Sequence, residues 1–561
     1  MRRLVLVCLS AAGLVVCLVA CLAIADTVPA WADDEHGPHD HHDMMESQLG
    51  TVHFPVSCSA KAQKTFEKGV ALLHSFWYEE AEKTFAETGK EDPKCAMAHW
   101  GAAMSLWHQL WDHPDQATMA RGDAELKTAR TLKAATERER DYIAAAEAFY
   151  STGGAKKEAK GEAENADSEY EARARAYSLA MEKVYEKYPD DHEAAAFYAQ
   201  SLLASEPEDD TTFANRKKAG AILEKLFAAE PDHPGIVHYL IHTYDKPQLA
   251  QMGLGAARRY AEIAPASPHA LHMPSHIFAR VGDWQDDIHS NLASIAATRK
   301  TVAMHMGGES HQYHAMDFLI YAYLQSGREY EAAKWIDEVK TMPEMKMAGM
   351  DMRAFALSKF PAMYALELHR WADATKLEVN ASADGSDRAY TYWARAIGSA
   401  RSGDLAGAKK DVEEIEAIHK DYVAQHKKYA AEDVEQMEQE ASAWVMHGEG
   451  KDGEATALLR KVADHEDAVG EEQTSMPARE MLADMLLELP RPAEALAEYQ
   501  EDLRFNPKRF DGLYGAAQAA AMAGKASEAS EYYAVLVKTC EGSSSERPEL
   551  ARARLAVVAR K

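Results

Sequence analysis

Chemistry-bearing side chains concentrate where this 561-residue chain places histidines in pairs. His238/His242 and His272/His276 are both H-x-x-x-H, and 272 − 238 equals 276 − 242, namely 34. Neutral imidazole nitrogens are ligands for borderline transition metals, at about 2.0–2.1 Å from zinc. His269 lies between the pairs, and His305, His311, His314, Glu309 and Asp317 follow, around the flexible Gly307-Gly308. The metal set expected from spacing is His238, His242, His272, His276, His314 and Asp317, with zinc, copper or iron as the candidate ion. An open coordination position would make such a site catalytic and a filled one structural. H-E-x-x-H is missing, so no general base is built into the helix and a metalloprotease has little support. Two plainer readings compete. One is a hydrogen-bonded His/Tyr groove for an organic or peptide ligand. The other is packing, with the histidines bonding partners such as Tyr239, Tyr244, Asp245 and Asp283, and with Ser275 capping a helix.

Residues four apart on a helix share a face, so each pair projects its rings one way. An offset of 34 is the length of a helix-turn-helix repeat, and it recurs elsewhere. Gly69, Leu72, Ala81, Phe85 and Pro93 take positions 8, 11, 20, 24 and 32 of such a unit. Phe66, Gly69 and Leu73 are answered 34 residues on by Trp100, Ala103 and Trp107, and Ala495 and Tyr499 by Ala529 and Tyr533. The pattern predicts an all-α tetratricopeptide-repeat solenoid, an α-α superhelix of about ten to twelve units whose amphipathic helices bury their faces by stacking. A charged, glycine-containing stretch near 151–170 interrupts it as an exposed loop.

The formal charge of −28 argues against a nucleic-acid partner and favours a cation. Arg2-Arg3, an apolar run from Leu4 to Ala25 and Ala30-Trp31-Ala32 read as an export signal over 1–32. Leu18-Val19-Ala20-Cys21 has the form of a lipobox, so a lipoprotein is the alternative, and a membrane partner is expected only if the leader is retained or lipidated. Either way the body is expected outside the cytoplasm, periplasmic or secreted. Residues 33–52 form a polar tail, expected to be disordered, in which His36, His39, His41 and His42 suit loose metal binding. The main array covers 53–340, a Met-rich linker 341–352 and a second array 353–561. Soft thioethers at Met342, Met345, Met347, Met350 and Met352 raise copper handling as a further alternative, against ordinary apolar filling. Cys58 and Cys95 are placed to form a disulfide closing the first unit, or to remain two buried thiols. Trp77, Trp100, Trp107 and Trp111 read as core, or, if Trp100 and Trp107 face the groove, as a stacking platform for a ligand.

DPKCAMAHWGAAMSLWHQLW, TERERDYIAAAEAFY, HPGIVHYLIHTYDKPQLA and PHALHMPSHIFARVGDW followed by Asn291 resemble a family of exported bacterial tetratricopeptide-repeat proteins of unknown activity, over about residues 55–340. The resemblance implies a right-handed superhelical groove lined by positions 2, 5, 9 and 12 of each unit. With units starting at Pro234 and Pro268, His238, His242, His269, His272 and His276 would all face that groove. The leading expectation is therefore a non-enzymatic exported binding protein that holds a ligand or protein partner in its groove, with or without a metal. Its rival is a metal-dependent hydrolase or oxidoreductase on the same histidines, with Glu309 or Asp317 as base or extra ligand. No catalytic residue follows from spacing alone.

Overall fold

A computed structural model describes residues 48–110, 113–151, 166–207, 210–347, 350–470 and 474–559. The leader, the tail histidines and Trp111 lie outside these residues. All described residues belong to one compact unit, Met45–Lys561. Their regular structure is helical apart from a two-residue antiparallel pairing of Lys346–Met347 (β1) with Met350–Asp351 (β2) in the Met-rich segment.

The helices before this pairing are α1 (Ala60–His74), α2 (Tyr78–Glu91), α3 (Ala96–Ser105), α4 (Gln116–Leu132), α5 (Glu137–Tyr150), α6 (Ala166–Lys187), α7 (His192–Ala204), α8 (Ala214–Ala229), α9 (Pro234–Tyr244), α10 (Ala250–Ile263), α11 (Pro268–His272), α12 (Pro274–Val281), α13 (Trp284–Ala303), α14 (Glu309–Gln325) and α15 (Glu329–Val339). After it come α16 (Met352–Glu367), α17 (Trp371–Ala374), α18 (Gly385–Arg401), α19 (Leu405–Ala424), α20 (Lys428–Gly448), α21 (Asp452–Val469), α22 (Ala478–Glu488), α23 (Pro492–Phe505), α24 (Phe510–Met522), α25 (Ala526–Thr539) and α26 (Pro548–Ala559). Most consecutive helices pack on one another, which makes the chain a tetratricopeptide-like helical solenoid.

The repeat pattern has a steric cause. A Cβ added at Gly69 would stand 2.7 Å from the Phe85 ring, and one at Gly101 only 2.3 Å from it. A small residue at one position of the unit is thus the socket for the aromatic ring at another, and Gly515 repeats the arrangement beneath Tyr499. Helix starts are locally encoded. Asp191, His233 and Ser267 accept from backbone N–H groups at the starts of α7, α9 and α11, while Pro234 and Pro268 open the latter two. The turn inside a hairpin passes through positive φ, filled by glycine at 282, 327, 403, 450 and 524 but by Phe76 after α1, at φ 51°. A bulky residue there costs about 1–2 kcal/mol, so packing must hold Phe76 in place.

The superhelix winds tightly. α9 packs on α1 as well as on α10, and α14 reaches α24. Lys246 Nζ donates to the Val469 carbonyl at 2.6 Å, Trp284 Nε1 to that of Lys508 at 3.0 Å, and Lys508 Nζ pairs with Asp283 at 2.8 Å. The inner face of α9 to α14 is therefore walled by other parts of the same chain. Cys58 and Cys95 are joined in a disulfide that ties the segment before α1 to the start of α3, and Cys540 is a buried free thiol. The methionines of 342–352 divide by environment: Met352 is core, Met342 and Met345 pack against that core, and Met350 is exposed. Among the described residues no helix is long and apolar enough to cross a membrane.

Candidate metal centre

The histidines converge, in two triads rather than one square. His238 and His242 of α9 meet His269 of α11, and His272 and His276, across the break at Met273 between α11 and α12, meet His314 of α14. In the first triad His238 Nε2 stands 3.0 Å from His269 Nε2 and 3.1 Å from His242 Nε2. In the second, His272 Nε2 stands 3.0 Å from His276 Nε2, and the His314 ring centroid lies 4.5 Å from that of His272. The triads are neighbours, with centroids 6.2 Å apart for His269 and His272 and 6.4 Å for His242 and His276. His311 adds a ring 5.1 Å from His269.

What these nitrogens can do follows from their other edges. His238 Nδ1 is 2.6 Å from the His74 carbonyl, which only accepts, so Nδ1 carries the hydrogen. His276 Nδ1 donates to Asp245 Oδ2 at 2.8 Å, with Arg280 Nε on the other oxygen at 3.1 Å. His272 Nδ1 faces Asn291 Oδ1 at 2.6 Å, and the amide is oriented by its own N–H groups, which donate to Asp287 at 2.8 and 3.0 Å. With Nδ1–H fixed on His238, His272 and His276, each neutral ring offers a bare Nε2 lone pair. The 3.0 Å contact between His272 and His276 is thus acceptor against acceptor, a repulsive arrangement unless a cation or a proton occupies the space between. Two nitrogens bound to one ion at about 2.0–2.1 Å stand about 2.8–3.4 Å apart for octahedral to tetrahedral angles. The observed spacings are of that size.

Burial keeps the rings in ligand form. It pushes His238, His269, His272 and His314 well below the usual imidazole range, His242 down to about 3 and His311 to about 4, and the neighbouring histidines add to the effect for all but His311. For Asp245 burial works upward, but His276 and Arg280 outweigh it and hold the carboxyl far below its ordinary value. Phe76 closes one side, its ring centroid 4.4 Å from His238, 5.4 Å from His269 and 5.5 Å from His242. Phe318 closes the other, 4.5 Å from His276.

A third cluster, His74, Glu193 and His233, looks similar by residue type and differs in logic. His233 Nδ1 accepts from the Ile236 N–H at 3.2 Å, so its Nε2–H donates to Glu193 at 3.0 Å. His74 Nε2 meets the other Glu193 oxygen at 2.8 Å, and its Nδ1 meets the Tyr239 hydroxyl at 2.8 Å. Every donor faces an acceptor. This cluster is a strut, pinning the end of α1 to α7 and α9 and so fixing the carbonyl that holds His238.

Several expectations are corrected by these positions. Asp317 belongs to neither triad: its Oδ2 accepts from Lys359 Nζ at 2.8 Å and from Thr474 Oγ1 at 2.9 Å, tying the two halves of the array. His269, expected beside the metal set, completes the first triad. Trp100 and Trp107 are in the core, 1% and 0% exposed, against Phe54, Tyr142 and Phe197 and against Phe149 and Tyr177 respectively. Ser275 caps nothing and lies 3.3 Å from both His272 Nδ1 and Asn291 Oδ1. The five groove-facing histidines line no open channel, since His238, His269 and His272 are at most 1% exposed. His74 and Phe76, from a unit more than 160 residues earlier, carried no signal in a local pattern.

No protein-family model matches the chain, and no curated protein does. Solved structures similar in helical content include a monomeric mutant of IFIT1 with Gppp-AAAA, 12% identical over 89% of this chain and 100% of that one, with a TM-score of 0.32. A human IFIT1 dimer with PPP-AAAA is 13% identical over 89% and 99%, at 0.36. Naa15/Naa10 bound to HypK-THB is 11% identical over 89% and 92%, at 0.22. At those identities and scores nothing about the ligands of those proteins is carried to this chain.

Proposed function

We propose that the protein is an exported helical scaffold that binds two first-row transition-metal ions, one in each histidine triad. The observation that carries this is the facing of His272 and His276 through bare Nε2 atoms 3.0 Å apart, each ring locked by an acceptor on Nδ1. Metal-bound histidines commonly show such an acceptor on the second nitrogen. All-nitrogen sets suit zinc, copper, nickel or iron. The Cys58–Cys95 disulfide supports the export reading, since such bonds persist in oxidising compartments. Three protein ligands per ion is the count of catalytic rather than structural zinc sites. That count favours, as the second reading, a metal-dependent hydrolase over a purely structural use of the ions.

The rival occupant of the gap is a proton on His276, paired with Asp245, and metal analysis separates the two. Full-length protein with His36, His39, His41 and His42 changed to Gln is loaded with zinc, copper or cobalt, desalted and assayed by elemental analysis. Two equivalents are expected, falling to one in H238A/H242A and to one in H272A/H276A. Folded protein that retains no stoichiometric metal, or that retains two equivalents in both double variants, overturns the proposal.

A further inference from the structure

The two triads are built alike at the ion and differently behind it. In the second, a carboxylate touches a ligand directly: Asp245 Oδ2 holds His276 Nδ1 at 2.8 Å, while Arg280 occupies Oδ1 and fixes the carboxylate in place. His272 is held by the Asn291 amide, itself anchored on Asp287. In the first triad the contact of this kind is to an uncharged backbone carbonyl, that of His74, at 2.6 Å. The groups bearing most strongly on His269 are other histidines, and Asp245 reaches His242 through space rather than by a bond.

On the reading that the triads hold metal, we infer that they load in order, His272–His276–His314 first and His238–His242–His269 second, with Asp245 as the positioning residue that sets the order. A carboxylate bonded to Nδ1–H makes the imidazole a stronger donor and offsets the charge of the ion. Arg280 tempers that charge without displacing the bond, because it uses the other oxygen. Once the first ion is in place, its field acts on the neighbouring triad across rings little more than 6 Å apart and weakens the second binding event.

Cobalt(II), whose visible absorption reports the ligands around it, makes the order readable. Titration of the metal-free full chain should show two successive steps with distinct spectra. His276→Ala should abolish the first spectrum and His238→Ala the second. Asp245→Asn should weaken the first step by ten-fold or more and leave the second within two-fold. Asn291→Ala, which acts on His272 from a different helix, should weaken the same step, and it decides the matter if Asp245→Asn does not fold. A loss of stability alone would not change one cobalt spectrum and spare the other. Two equal and indistinguishable steps, loss of the first step in His238→Ala, or weakening of the second step by Asp245→Asn overturns the loading order while leaving the metal reading intact. Absence of any cobalt step in folded protein defeats that reading, and the order with it.

Discussion

Two of the buried polar centres among the described residues solve the same problem in opposite ways. In the carboxy-terminal half Arg509, 0% exposed, sends Nε and Nη2 to Glu480 at 3.0 and 2.8 Å and Nη2 to Glu367 at 3.0 and 3.1 Å, with Nη1 on the Tyr321 hydroxyl. Gln325 donates to Glu367 at 2.7 Å and accepts from the Phe510 N–H at 2.9 Å. Four helices, α14, α16, α22 and α24, are tied by donors that meet acceptors. In the histidine centre Nδ1 of His238, His272 and His276 meets an acceptor in the same manner, but the inner edges of His272 and His276 set lone pair against lone pair. A network complete without a guest is a strut. One that is complete only with a cation is a site, and residue type alone would not have separated them, as His74–Glu193–His233 shows.

The comparison is tested most forcefully by acid. Six histidines of this centre, 238, 242, 269, 272, 311 and 314, have folded-state pKa values lowered below 6.5. The unfolded chain therefore binds more protons than the folded one below about pH 6.5, and the stability these groups confer is present above that pH and lost as pH falls through it. Each contributes about 1.4 kcal/mol per pH unit, so six set an upper limit of about 8 kcal/mol per unit. Urea midpoints measured between pH 7.5 and 4.5 should fall steeply from about pH 6.5. In the Arg509 hub the guanidinium stays charged throughout, while burial holds the Glu480 carboxyl well above the usual carboxylate range, so the hub's contribution has the opposite sign and grows as pH falls. Metal should go on protecting the protein well below pH 6.5, because proton and ion compete for the same nitrogens only as pH nears the lowered folded-state values, about 3 for His242. A flat profile between pH 7.5 and 5 would show that the rings are not buried in neutral form.

Next in size is the strut itself. Arg509→Ala leaves Glu367 and Glu480 buried without their cation, and breaking such a pair costs about 3–5 kcal/mol. The urea midpoint should drop accordingly, and added metal should leave the difference between variant and parent unchanged. A loss that zinc rescues selectively would mean that the two centres are one coupled system.

Much of the fold was legible because the repeat is local: the socket at Gly69 and Gly101 for Phe85, and the prolines at 234 and 268, are fixed by neighbours within one or two units. The histidines of α9, α11 and α12 were legible for the same reason, since i, i+4 spacing survives in any helix. Their sorting into triads was not, because it depends on how far each unit rotates relative to the last and on the break at Met273. Asp317 shows the limit most clearly. It sits three residues after His314, one turn along α14, yet points to Lys359 and Thr474, and its partners come from parts of the chain that no spacing rule connects. Phe76 and His74 were invisible for that reason too: the superhelical closure that brings them to His238 is a property of the whole array.

The smallest effect on stability is the sharpest discriminator between site and strut. His242 is only half-buried, and its Nε2 meets His238 Nε2 at 3.1 Å, where His238, with its hydrogen on Nδ1, has a lone pair and no hydrogen to offer. A buried strut residue removed from a complete network leaves an orphan; His242→Ala removes from the metal-free protein one ring contact at a half-buried position. In metal-free protein the substitution should change the free energy of unfolding by about 1 kcal/mol or less. With metal at one hundred times its dissociation constant, each occupied site adds about 2.7 kcal/mol to the parent, and His242→Ala should forfeit the increment of the first triad alone. Paired melts with and without zinc measure both quantities on one sample. A large loss in the metal-free variant, unaltered by zinc, would place His242 with Arg509 among the struts and leave the first triad without its claim to an ion.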